Sequence, residues 1–73
     1  MTTFNYAKLL GRIKEVCGTQ SVFEEQMGMR MQTVNLKLNN RSSFTQAEVL
    51  KAADVLGIPA REIGIYFFTP NAQ

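Results

Sequence analysis

The segment GMRMQTVNLKLNNRSSF, from Gly28 to Phe44, decides how this 73-residue chain folds. Glycine adopts left-handed backbone without a steric penalty, so Gly28 is suited to turning one helix sharply onto the next. Phe23, Met27 and Met29 surround it with apolar side chains. After it, Val34 and Leu38 stand four apart and give a helix from about Met31 to Asn39 an inward face. Two short helices locked together around a glycine corner form the pattern of a helix-turn-helix, here at about 19–39. Any small helical bundle with a glycine corner shares part of that pattern. Met29 reads as a core residue. Met31 reads as outward-facing, and it poses the functional question, because methionine offers DNA no donor and only a poor acceptor.

Working outward, Thr19 caps a helix of about two turns that carries Val22, Phe23 and Met27 inward. So short a helix needs tertiary support. Upstream, Asn5 is placed to cap a first helix, with Phe4 packing on Leu9 as a hydrophobic staple. Tyr6, Leu9, Leu10, Ile13 and Val16 follow at helical spacing, and Gly18 ends the run. Lys8 and Arg12, four apart, share its solvent face. Downstream, the polar run NNRSS is a loop. Thr45 with Glu48 makes a capping box for a fourth helix through Val49, Leu50, Ala53 and Leu56 to Gly57. Pro59 starts a short fifth helix with Ile63 and Tyr66, and Phe67 and Phe68 either cap the core or meet a second copy. Repeats, low-complexity runs and strand-like alternation are missing. The expected fold is therefore all-α: five short helices in one domain over residues 1–73.

Composition narrows the function classes. A 45 % share of hydrophobic residues suits a folded domain rather than a disordered chain. No apolar run approaches the length of a membrane span, and the N-terminus lacks a signal-peptide pattern, so a cytoplasmic location is expected. The lone Cys17 and the absence of histidine leave no zinc ligand set, no general base of the usual kind and no expected cofactor or small-molecule substrate. Cys17 reads as a small core residue. Charge is uneven. Residues 1–41 hold six Lys or Arg (Lys8, Arg12, Lys14, Arg30, Lys37, Arg41) against Glu15, Glu24 and Glu25, a balance of +3. The remainder is −1. An acidic or polyanionic partner for the first part is favoured, though strong nucleic-acid binders carry a larger surplus.

With these elements in place, TQSVFEEQMGMRMQTVNLKLNN followed by FTQAEVLKAADVLGIPAREIGIYFF resembles the lambda-repressor-like five-helix domain of phage repressors and Cro-type regulators. More narrowly, GTQ before helix 2, LKLNN at the end of helix 3 and EIGIYFF near the C-terminus resemble small lysis–lysogeny regulators of temperate phages of Gram-positive bacteria. Within these the likeness is to modulators of repression, or antirepressors, and it covers nearly the whole chain. The resemblance implies that Gln20 donates to a phosphate and that Asn39, Asn40 and Arg41 approach the backbone of DNA from the loop after helix 3. It implies further that Arg30, Met31, Gln32 and Asn35 face the bases. Gln32 and Asn35 suit that chemistry, since a side-chain amide bonds bidentately to adenine.

Two departures from the family pattern point elsewhere. Arg30 replaces the usual Ser or Thr cap before helix 3, and Met31 follows it. Glu24 stands where the family carries Ala against helix 3, and a carboxylate there should reach outward to water. Glu24 and Glu25 put negative charge beside the face that would meet phosphates. Methionine is adaptable at protein surfaces, and Leu36 lies about 200° around the helix from Val34 and Leu38. Leu36 therefore either packs on another element or is exposed. These features favour a partner of opposite character: the basic, amide-rich DNA-binding face of the cognate phage repressor's N-terminal helix-turn-helix domain. In that reading helices 2 and 3 bind the repressor and alter or block its grip on the operator. The alternative is a Cro-like repressor that places helix 3 directly in the major groove of operator DNA.

Overall fold

The computed structural model describes residues 3–71. Its helices are α1 (Ala7–Cys17), α2 (Gln20–Met27), α3 (Met31–Leu38), α4 (Gln46–Leu56) and α5 (Ile63–Phe67), with one 3-10 turn, Ala60–Glu62, leading into α5. The all-α, five-helix expectation holds. One core joins Leu9 and Ile13 of α1, Phe23 and Met27 of α2, Val34 of α3, Val49, Ala52, Ala53 and Leu56 of α4, Ile58, and Tyr66 and Phe67 of α5. No helix among the described residues is long and apolar enough to cross a membrane.

Three helices end in the same way. Gly28, Asn40 and Gly57 all have positive φ, at 68°, 62° and 65°. After each, the next residue's N–H reaches back five positions: Met29 to the Glu24 carbonyl, Arg41 to the Leu36 carbonyl and Ile58 to the Ala53 carbonyl. This is a Schellman closure, which satisfies carbonyls that the helix itself leaves open. At Gly28 the closure reverses the chain within three residues and sets α3 across α2. Thr19 caps α2 through its hydroxyl, 3.3 Å from the Val22 N–H. Thr45 and Glu48 form the reciprocal capping box on α4.

Several boundaries and faces differ from the sequence reading. Helix α1 begins one residue later than Asn5 capping would place it. Tyr6 occupies the N-cap, and the Asn5 side chain accepts from the Ala7 N–H instead. The Phe4 ring packs on Tyr6 and Phe68. Leu10, Val16, Val22 and Leu50 were expected inside and are exposed, Leu50 at 64 %. The cause is common to all four: each neighbours a position already filling the narrow apolar stripe, and a core this small admits only about one residue per turn. Helix α3 ends at Leu38 rather than Asn39. Phe67 is buried while Phe68 is half exposed. Residues near the two ends also pair. The Asn5 N–H donates to the Thr69 carbonyl at 2.8 Å and the Asn71 N–H to the Thr3 carbonyl at 3.0 Å, around a bridge between Phe4 and Pro70.

Candidate partner-binding face on α2 and α3

Helix α3 turns Val34 inward at full burial, with Lys37 buried and Leu38 partly so beside it, which leaves Met31, Gln32, Thr33, Asn35 and Leu36 in view. The Gly28 turn fixes the N-terminal end of that exposed face, with Met29 half-buried against the core as expected. Met31 is 56 % exposed and Leu36 47 % exposed. Leu36 therefore does not pack on another element. Arg30, Gln32, Asn35 and Asn39 are exposed beside them. Arg30 sits at the N-cap and its side chain makes no capping hydrogen bond, so α3 begins without the usual hydroxyl or carboxamide partner.

The polar groups on this face are partly committed to one another. The Gln20 side-chain amide donates to Asn35 Oδ1 at 2.6 Å and to Glu24 Oε2 at 3.0 Å. Both hydrogens of that amide nitrogen are thus in use, and a phosphate would have to displace one of these bonds. Glu24 is half-buried and turns to Gln20, while Glu25 is exposed. The Asn39 side chain donates to the Asn35 carbonyl at 2.8 Å, back along its own helix. Asn35 is consequently held in orientation from α2, and Gln32 is the freer amide. A shallow groove of about 400 Å³ lies between the α3 exit loop and the aromatic residues, while a second, of about 340 Å³, lies on α3 itself. The second is lined by Gln32, Asn35, Leu36, Asn39 and Arg41. Arg41 is exposed and, among the described residues, makes no ion pair.

Asn40 does not join this face. Its Oδ1 accepts from the Phe4 N–H at 2.8 Å, and its Nδ2 donates to the Phe4 carbonyl at 2.9 Å. The amide that was expected to approach phosphates instead clamps the N-terminal segment to the end of α3. Lys37 is a second correction, to the charge distribution. It is 6 % exposed, its ammonium 2.9 Å from Glu48 Oε1 and 2.8 Å from the Ser43 carbonyl, with the Phe44 ring beneath it. Arg12 likewise folds onto the Leu56 and Gly57 carbonyls rather than sharing an open face with Lys8. Two of the six cations in residues 1–41 therefore serve the fold.

Sequence reasoning missed the Lys37–Glu48 pair, which ties the back of α3 to the start of α4. The available signal was Glu48 itself, an acid pinned by its capping role near the loop that follows Lys37. Burial raises the Glu48 carboxyl, but the Thr45 N–H and Lys37 outweigh it and hold the group below the ordinary glutamate range. No three His, Cys, Asp or Glu side chains among the described residues gather as a metal site would require.

The chemistry of the face is mixed: an acid and its bound amide on the α2 side, two exposed apolar side chains on α3, and arginines near the two ends of that helix. Comparisons with known proteins bear on what uses it. The profile of a family described as "Protein of unknown function (DUF739)" matches residues 1–70. The chain is also similar to the solution structure of the modulator of repression (MOR) of the temperate bacteriophage TP901-1 from Lactococcus lactis. The two share 45 % identity and superpose with a TM-score of 0.80, covering 89 % of this chain and 88 % of that one. Comparison with curated proteins gives no match. The chain thus belongs to the family described as DUF739 and, at this identity and coverage, to the small helix-turn-helix regulators of temperate phages represented by that modulator of repression.

Proposed function

We propose that this protein modulates repression in a temperate-phage genetic switch by binding the DNA-binding domain of its cognate repressor through α2 and α3. The observation that carries this reading is the composition of the outward face. Glu24 lies within it, hydrogen-bonded to Gln20, and Met31 and Leu36 are exposed next to the amides. DNA presents a uniformly negative backbone, against which Glu24 and Glu25 are repelled. A repressor's reading helix presents cations and amides, against which the same carboxylates are attracted and the apolar side chains gain burial. The similarity to a phage modulator of repression supports the same assignment.

The test is a comparison of two binding measurements on the isolated protein. It is expected to form a stable complex with the purified repressor and to bind an operator duplex only weakly. Tight, sequence-specific operator binding by the protein alone, with a steep dependence on salt, would instead establish a Cro-like repressor. Replacing Glu24 and Met31 together with Ala is expected to weaken the repressor complex by about tenfold or more. In a DNA reader, Glu24→Ala alone would leave operator binding the same or improve it.

A further inference from the structure

We infer that the groove on α3 is an anchor seat for an apolar side chain from a helix of the repressor, and that this helix carries an acidic group where it passes Arg41. The inference rests on the reading above and specifies the chemistry of the partner at the same face. Leu36 lies in the groove with half its surface open, so a methyl-bearing or aromatic side chain seated there removes apolar area from both partners.

The rim decides what kind of molecule fits. Asn35 belongs both to the groove and, through Gln20, to the chain that ends on Glu24. Reading across the face therefore runs from a carboxylate through a fixed amide and an apolar floor to a guanidinium that has no ion-pair partner among the described residues. A nucleic acid, with one sign of charge along its length, satisfies only the Arg41 end. A helix satisfies the whole sequence when basic residues on one edge meet Glu24, an apolar residue three or four positions along the strip fills the groove, and an acid on the other edge meets Arg41. Anchors seated in desolvated pockets, ringed by contacts that exclude water, are where binding energy concentrates in protein interfaces. Asn39 supports the seat rather than competing for it, since its amide donates to the Asn35 carbonyl.

The experiment measures affinity for the purified cognate repressor by titration calorimetry at low and moderate salt, using the full-length chain and the single variants Leu36→Ala, Arg41→Gln and Arg41→Glu. Both sites, Leu36 and Arg41, are on the surface, and circular dichroism melting is expected to show an unchanged fold for all three variants. Leu36→Ala is expected to weaken the complex about tenfold at either salt concentration. Arg41→Gln is expected to weaken it severalfold and Arg41→Glu further, with both losses shrinking as salt screens the pair. Changing one acidic repressor residue to Lys should restore binding to Arg41→Glu alone. If the wild-type chain binds the repressor while these variants bind equally well, the seat is elsewhere on the face and only this inference fails. If the wild-type chain does not bind the repressor at all, the proposed function falls and the inference with it. Loss of operator-duplex binding in Arg41→Glu with the repressor complex unaltered would assign the groove to DNA and overturn the inference.

Discussion

Asn40 shows how one residue can serve two local demands at once. The Schellman closure of α3 needs a left-handed backbone there, which glycine supplies at Gly28 and Gly57. Asparagine tolerates the same conformation, and its amide then adds the paired hydrogen bonds to Phe4. Asn40→Gly keeps the backbone and removes the clamp, so it is expected to cost about 1–2 kcal/mol in urea unfolding. Asn40→Ala should cost about 1 kcal/mol more, because alanine resists positive φ. Gly28→Ala isolates the backbone effect. A Cβ there would come no closer than 4.0 Å to Lys51 Nζ, so space is available. The expected loss of about 1–2 kcal/mol is therefore conformational alone, read as a lower melting temperature. Gly28 was legible in the sequence, because glycine after an amphipathic stretch has few other uses. The role of Asn40 was not, because a polar residue in a polar loop gives no sign that its partner lies 36 positions away.

Among the elements, the junction of α3 with α4 is where charge acts on the fold. Lys37 and Glu48 hold it, with Ser43 and Thr45 completing their hydrogen bonds. Lys37→Met preserves the buried stem and is expected to cost about 1–2 kcal/mol, less than for a fully enclosed pair because Glu48 keeps 26 % of its side chain exposed. The folded Glu48 carboxyl is held below its unfolded range. Its stabilising contribution is therefore complete above about pH 4.3 and is lost as pH falls through the lower folded value. Glu48→Gln should accordingly lower the unfolding midpoint at neutral pH and flatten its decline in acid. Helix identity and order were readable from periodicity and caps. The exposed faces of Leu10, Val22 and Leu50 were not, since apolar spacing alone cannot tell a stripe from its margin.

For the whole molecule, the contrast is between a total charge and its distribution. The surplus in residues 1–41 suggested a polyanion, yet Lys37 is inside and Arg12 is spent on the end of α4. What remains around α3 is balanced by Glu24 and Glu25, which is why net charge pointed only weakly to a partner. Association with the repressor is expected to slow when either acid is replaced by Gln, with the difference vanishing at high salt, as stopped-flow measurements at varied ionic strength would show. The outward residues of α3 were legible as a set once Val34 and Leu38 fixed the inward face. Their organisation into a bonded chain and a groove was not, because it depends on α2 crossing α3 at one angle and bringing Gln20 to Asn35 across fifteen positions.

The pairing of Thr3–Asn5 with Thr69–Asn71 has a topological consequence. The described segment leaves and enters the fold side by side, so it behaves as a nearly closed ring. Such a unit can be spliced into a surface loop of another protein with only short spacers, because its host loop need span little distance. A ring closed by a short Gly/Ser linker and reopened within Ser42–Ser43 should fold with the same five helices. It would also place new chain ends beside Arg41, turning the rim of the α3 groove into a site where a tether to the repressor can be attached.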